Sequence, residues 1–88
     1  MAFYKIEWKK SAIKDIKKID KIFIAKIINA IENLQNNPTP KDCKKIKGSK
    51  YQYRIRVGNY RIIYSFENKL LIIKIIRIGH RKQIYKNI

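Results

Sequence analysis

Cysteine, histidine and acidic residues are scarce in this 88-residue chain, and each scarcity excludes a class of protein. The one cysteine, Cys43, cannot form an intramolecular disulfide, and together with the one histidine, His80, it is too little for the usual zinc sites. The sequence also has no apolar run long enough to span a membrane and no signal-peptide pattern after Met1. We therefore expect a cytoplasmic protein that uses no metal or other cofactor and no membrane.

The shortage of acids leaves a large excess of positive charge. Six Asp and Glu stand against 22 Lys and Arg, which gives a net charge of +16. This charge repels itself in the compact state and indicates a polyanionic partner such as a nucleic acid. Apolar residues make up 45% of the chain, which is enough for a core. The length allows one domain, which we expect to span residues 1–88.

The first half of the chain has a strand-like segment followed by two helical patterns. Residues 3–8 are rich in aromatic residues and suit a short strand. Apolar residues then recur with helical spacing, and Asp20 can cap the second helix. Pro38 and Pro40 end that helix because proline is excluded from a helix interior. We expect two antiparallel helices, followed by a basic loop over residues 41–50.

The second half of the chain reads as strands. Residues 51–57 and 60–66 alternate apolar and polar side chains on either side of Gly58-Asn59, a two-residue hairpin signal. Residues 70–78 form a third, almost continuously apolar strand. The sequence therefore predicts an α+β fold of order β-α-α-β-β-β plus a C-terminal tail. Its small, mainly antiparallel sheet would carry the two-helix hairpin on one face.

The first hairpin turn fixes which residues face each other. Val57 would lie opposite Tyr60, and the face toward the helices would be apolar and aromatic: Tyr51, Tyr53, Ile55, Val57, Tyr60, Ile62, Tyr64 and Phe66. On the other face Arg56 would lie opposite Arg61, with Arg54 beside them and no acid on either strand. Like charges directly opposite each other destabilise a sheet. This face therefore predicts an anion-binding site.

A two-residue second turn at positions 68–69 would place Lys74 opposite Ile63 on the arginine face. The same register puts Arg77 opposite Tyr60 on the core side, which requires a bulge or a position at the rim of the sheet. It also returns the chain after Gly79 toward the arginines. We therefore expect six side chains to converge as a candidate site: Arg54, Arg56, Arg61, His80, Arg81 and Tyr85.

These side chain types suit RNA chemistry. Arginine holds phosphate bidentately and stays charged. Tyrosine can stack on an unpaired base, and histidine has a pKa suited to proton transfer near neutrality.

Two segments, YRIRVGNYRIIY at 53–64 and RIGHRKQIY at 77–85, resemble the RelE/ParE toxin superfamily, as do residues 11–16 with the two helices after them. The resemblance implies a toxin of a type II toxin–antitoxin system that acts without a cofactor. In the RelE branch it implies a ribosome-dependent endonuclease that cleaves mRNA in the A site and inhibits translation. Its partners would be the ribosome, mRNA and an acidic RelB-like antitoxin, in a heterodimer or heterotetramer.

The resemblance also implies roles for the arginines of the hairpin. Arg54 and Arg56 stand where RelE-type toxins have two lysines that activate the nucleophile and steady the phosphate. Arg61 matches the arginine that contacts the scissile phosphate. The reaction would be attack of a 2′-hydroxyl on its own 3′-phosphate, which yields a 2′,3′-cyclic phosphate. Because guanidinium hardly deprotonates, the general base is left open.

The tail motif carries the other implied roles. Arg81 matches the arginine assigned to charge stabilisation and leaving-group protonation, and Tyr85 matches the aromatic that stacks on the mRNA base. His80 stands where some relatives place a catalytic histidine.

Two alternatives stay open at this point: a ParE-like, non-enzymatic inhibitor of DNA gyrase, and a basic RNA- or ribosome-binding module without catalysis.

Overall fold

The computed structural model describes residues 3–48 and 51–80 of the chain. Its elements in chain order are β1 (Lys5–Trp8), α1 (Lys10–Lys17), α2 (Lys21–Leu34), β2 (Lys44–Lys45), β3 (Gln52–Val57), β4 (Tyr60–Glu67) and β5 (Ile72–His80). Within the described residues they form a sheet of order β1-β5-β4-β3-β2. Strand β1 runs parallel to β5, and the other neighbours are antiparallel. The predicted α+β fold is confirmed, with one added strand, β2, inside the predicted loop.

Both helices pack on the apolar face of the sheet. Ile27, Ile31 and Leu34 form a stripe along α2 and are at most 2% exposed, as expected for the buried side of an amphipathic helix. They join a core cluster that includes Ala12 of α1 and the inward residues of the sheet: Ile55, Ile62, Tyr64, Ile73, Ile75 and Ile78. Tyr51, which we expected on this face, is exposed because it precedes β3. Neither described helix has the length and apolar character that crossing a bilayer requires.

The predicted register of the β3–β4 hairpin is confirmed. Val57 lies opposite Tyr60, and Arg56 lies opposite Arg61. Gly58 has a φ of +60°, and Asn59 keeps a negative φ, which fits a type II′ turn with glycine at its first central position. Glycine reaches this backbone conformation without steric cost. The turn therefore places the arginines on one face and the apolar residues on the other.

The predicted second turn is wrong. It contains four residues, 68–71, instead of two, so Lys74 lies opposite Ser65 and not opposite Ile63. Leu71 ends the turn with a φ of +53°, which costs roughly 1 kcal/mol in a residue other than glycine. Because side chains alternate with a period of two, turns that differ by two residues leave the same side chains on each face. The alternation of apolar and polar side chains therefore could not distinguish a two-residue turn from a four-residue turn.

A β-bulge interrupts the pairing of β4 with β5. Ile63 pairs with Arg77 whereas Tyr64 pairs with Ile75, so Ile76 is an extra residue on β5. Bulges add one residue to a strand and change the direction of the side chains that follow. A bulge was one of the two expected explanations for Arg77 and is confirmed, although the residue opposite Arg77 differs from the predicted one.

Helix α1 continues the edge of the sheet where β1 stops. The pairing of β1 with β5 ends at Trp8 and Ile75. The next amide, that of Lys9, donates to the carbonyl of Ile75 at 2.9 Å. Two residues further on, Ser11 Oγ donates to the carbonyl of Ile76 at 2.6 Å. These bonds satisfy backbone groups that an open strand edge would expose.

Asp15 extends the same arrangement by one helical turn. Its Oδ2 accepts hydrogen bonds from the amide of Ile78 at 2.9 Å and from Arg77 Nε at 2.8 Å. Ser11 and Asp15 are four residues apart and share one face of α1, so both reach β5. The carboxylate thus fixes α1 against the strand that ends at His80.

We predict that Asp15→Ala destabilises the protein by about 2–3 kcal/mol, because it removes the three hydrogen bonds that Arg77 and the amide of Ile78 donate to the carboxylate. Chemical denaturation measures this free energy of unfolding. Glu32→Ala is the matched control, because it makes the same change in net charge at an exposed site on α2. Equal stabilities of the two variants would contradict the role of Asp15 at the edge of β5.

Candidate functional site

Three arginines from neighbouring strands meet on the face of the sheet opposite the helices. Arg54 and Arg56 project from β3 and Arg61 projects from β4. They line a pocket of about 200 Å³ together with Asp42 and Lys44. We call this group of five side chains the arginine pocket. The predicted meeting of the three arginines is confirmed.

Arg61 is the buried member of the arginine pocket. Only 7% of its surface is exposed, and no carboxylate of the described residues lies within 4 Å of it. Its Nη1 donates one long hydrogen bond, of 3.4 Å, to the carbonyl of Tyr60. Arg56 lies directly opposite Arg61, and Gly79 on the other side contributes no side chain to this face. A buried charge without a counter-ion is costly, so the pocket favours an anion.

Sequence reasoning missed the other two members of the pocket. Lys44 lies opposite Arg54 because β2 pairs with β3, and Asp42 is two residues earlier. Strand β2 has only two residues, too few to show an alternating pattern. The basic loop therefore gave no signal that it forms one wall of the site.

The loop that carries Asp42 is held from the core side. Tyr64 is fully buried, and its hydroxyl donates to the carbonyl of Pro38 at 2.6 Å. Burial raises the pKa of Tyr64 far above its ordinary value, and the neighbouring thiol of Cys43 raises it further. The phenol therefore keeps its proton. The amide of Cys43 donates to the carbonyl of Pro40 at 2.9 Å and closes a turn around positions 41–42. These contacts hold the backbone before and after Asp42 in place.

His80 does not join the arginine pocket. It lies opposite Tyr60, and the two rings meet edge to face with centroids 5.9 Å apart. Tyr60 in turn contacts Phe23 of α2 at 5.3 Å, so this group lies on the helix side. There His80 lines a separate cavity of about 550 Å³ with Asp15 and other residues. The expected meeting of His80 with the arginines is therefore wrong, and its catalytic role stays a prediction. Arg81 and Tyr85 lie outside the described residues.

Comparison with known proteins decides the family. Residues 6–85 match the family model described as the ParE toxin of type II toxin–antitoxin systems, parDE. The chain belongs to the RelE/ParE toxin superfamily. The matched range includes both segments, 53–64 and 77–85, on which the resemblance rested. The family predicted from them is confirmed.

Archaeal members of the RelE/ParE superfamily are similar to this chain over nearly its whole length. Toxin RelE3 of Methanocaldococcus jannaschii is 40% identical over 85 residues, which cover 92% of this chain and 94% of that protein. The RelE of the RelB–RelE antitoxin–toxin complex from Methanococcus jannaschii is 37% identical with a TM-score of 0.74, over 91% of this chain and 95% of the other. A chain of the archaeal RelE–RelB complex from Pyrococcus horikoshii is 29% identical with a TM-score of 0.79, over 92% of this chain and 97% of the other.

We predict that Arg61→Met stabilises the free protein by about 1 kcal/mol at low salt, because methionine keeps the apolar stem and removes a charge that faces Arg56. Inorganic phosphate should raise the melting temperature of the wild type and have less effect on the variant. Thermal unfolding with and without phosphate measures both effects.

Lys26→Met serves as the control for this experiment, since it removes one positive charge from an exposed position on α2. If phosphate stabilises the Arg61 variant as much as it stabilises the control, the buried guanidinium is not part of an anion site.

Proposed function

We propose that this protein is the toxin of a type II toxin–antitoxin system and acts as a ribosome-dependent mRNA endonuclease in the cytoplasm. The observation that supports this most is the arginine pocket. Arg54, Arg56 and the buried Arg61 converge there, and Arg61 has no carboxylate among the described residues to neutralise it. An RNA phosphate supplies the missing negative charge.

The proposed reaction is attack of an RNA 2′-hydroxyl on the adjacent phosphorus. The phosphorane that forms carries more negative charge than the starting phosphodiester, so guanidinium groups stabilise it more than the ground state. A well-placed donor of this kind contributes about 3 kcal/mol. Side chains thus supply the positive charge of this mechanism. Arg81 would stabilise charge on the leaving side, and Tyr85 would stack on the base.

The ribosome is the proposed source of substrate orientation. An arginine pocket open to solvent holds a phosphate but does little to align a flexible single strand for in-line attack. The A site presents mRNA in one conformation, and such positioning lowers a reaction barrier by several kcal/mol.

An acidic RelB-like antitoxin is the proposed partner of the resting toxin, in a heterodimer or heterotetramer. The similar archaeal RelE structures are complexes with RelB. A net charge of +16 on 88 residues favours a partner of opposite sign. An amphipathic helix of that partner, docked in a groove of the toxin, would use both charge and apolar contacts.

The second candidate function is inhibition of DNA gyrase without catalysis. The ParE description of the matching family model favours it. The three convergent arginines and the similarity to proteins named RelE favour the nuclease. One experiment on translating ribosomes, with gyrase supercoiling measured beside it, distinguishes between them.

We predict that the wild type cleaves mRNA on programmed ribosomes at the A-site codon, as read by primer extension. Arg56→Ala and Arg61→Ala should each weaken ribosome binding in pelleting assays and reduce its salt dependence by about one unit of slope, because each removes a phosphate contact. Arg81→Ala and Tyr85→Ala should lower the cleavage rate more than the affinity, because transition-state contacts affect rate.

Lys26→Ala is the control for non-specific loss of charge. Intact mRNA on translating ribosomes with the wild type would contradict the nuclease. Inhibited supercoiling in the same preparation would then support the gyrase function, and ribosome binding alone would support a non-catalytic module.

We also predict that expression of the toxin alone arrests growth and that co-expression of an acidic antitoxin restores it. The purified complex should be much nearer neutrality than the toxin, which ion-exchange elution measures. Normal growth with the soluble toxin alone would contradict the proposal.

A further inference from the structure

The arginine pocket holds a phosphate but leaves one part of the proposed reaction without a residue. The attacking 2′-hydroxyl must lose a proton, and guanidinium has no acceptor site for it. His80, the imidazole of this chain, lies on the helix side with Tyr60. Within the described residues, the other groups of the pocket are therefore the candidates for the proton acceptor.

Asp42 is the carboxylate of that pocket. It lines the pocket with the three arginines, and it also lines an adjoining cavity of about 650 Å³ with Arg56 and Gly58. Its side chain is exposed, and no cationic nitrogen of the described residues lies within 4 Å of it. The carboxylate thus borders the space proposed for the phosphate and makes no salt bridge with the described residues.

The backbone around Asp42 is held in place on both sides. Before it, the buried Tyr64 anchors Pro38, and the amide of Cys43 closes a turn onto Pro40. After it, Lys44 pairs with Arg54 across β2 and β3. Cys43 packs against the core cluster between them. A group that accepts a proton in catalysis needs such a fixed support.

We propose that Asp42 is the general base of the reaction, an inference that rests on the proposed endonuclease function. The 2′-oxygen forms a bond to phosphorus while its proton passes to the Asp42 carboxylate. The bond from phosphorus to the 5′-oxygen breaks, and that oxygen leaves with the electron pair and takes a proton from water. Asp42 then returns its proton to solvent, so the products are a 2′,3′-cyclic phosphate and a 5′-hydroxyl.

Lys44 is the other titratable group of the pocket and has the opposite role. In its charged form its amine has three donors and no acceptor, so in that form it contacts phosphate and cannot take the proton. The charged side chains that face Asp42 are all cations: Lys41, Lys44, Arg54, Arg56 and Arg61. Among the described residues, Asp42 is therefore the negative charge in an otherwise cationic pocket.

This charge arrangement separates binding from catalysis in a single variant. Asp42→Asn keeps the shape of the side chain and removes a charge that repels RNA, so it should bind programmed ribosomes at least as tightly as the wild type. The same variant should cleave at least about 100-fold more slowly, the usual contribution of a general base. A residue that only supported the loop would lower both quantities or neither.

Single-turnover cleavage on programmed ribosomes, beside pelleting for affinity, is the experiment. The wild-type rate should not rise in proportion to hydroxide, because the carboxylate takes the proton. The rate of Asp42→Asn should rise about tenfold per pH unit, because hydroxide replaces the missing base. Asp42→Glu should recover part of the rate, and Glu32→Gln is the control with the same charge change at an exposed site on α2.

An Asp42→Asn variant that cleaves like an active wild type would overturn the assignment and leave the endonuclease intact. The assignment would also be overturned if His80→Ala cleaved more slowly and its remaining rate rose with hydroxide in the way expected for Asp42→Asn. A wild type that never cleaves would overturn the endonuclease and the base with it. Melting temperatures of both Asp42 variants, compared with the Glu32 control, establish that the proteins tested are folded.

Discussion

The register of the β3–β4 hairpin is the constraint on which the core and the candidate site both depend. Gly58 begins a type II′ turn, and this turn sets Val57 opposite Tyr60. A slip of one residue would exchange the two faces, since side chains alternate along a strand. Arg56 and Arg61 would then point into the helices, and Ile55 and Ile62 would face solvent. One glycine thus helps to determine where the apolar surface is buried and where the positive charge collects.

The scarcity of acids makes their placement informative. Asp15 binds the edge of β5 and Arg77, so that carboxylate serves the fold. The cross-strand pair of Arg56 and Arg61 has no such partner in the part of the chain that the structure describes, although Arg61 is buried. A protein under selection for stability alone would neutralise or replace this charge. Local rules of stability are most often broken at functional sites, and this break lies in the centre of the sheet.

The sequence allowed prediction of the features that rest on local chemistry. Gly58-Asn59 marked the first hairpin, and Pro38 with Pro40 marked the end of α2. The length of the turn at 68–71 could not be predicted, because a shift of two residues preserves every face. A bulge was expected near Arg77, but its position at Ile76 was not predicted, and the hydrogen bonds from α1 beside it join residues more than 60 positions apart in the chain.

The residues of the candidate site likewise differ in whether local sequence patterns could predict them. Its arginines could be predicted because they share one hairpin. Lys44 lies in a two-residue strand and Asp42 lies just before it, and a strand this short shows no periodic pattern in the sequence. His80 was misplaced for a related reason. The bulge and the longer turn reset the register at the end of β5, and this register brings its ring to Tyr60.

Arginine in place of lysine on β3 has a chemical consequence that links the fold to the proposed mechanism. A lysine can hold phosphate when charged and accept a proton when neutral, so one residue can serve both tasks at a suitable pH. Arg54 and Arg56 stay charged, which makes phosphate binding independent of pH but removes proton transfer from β3. The proposed catalysis then requires a second, non-guanidinium group on the same face. Strand β2 meets this requirement structurally, because its pairing with β3 brings the preceding loop and its carboxylate to the edge of the pocket.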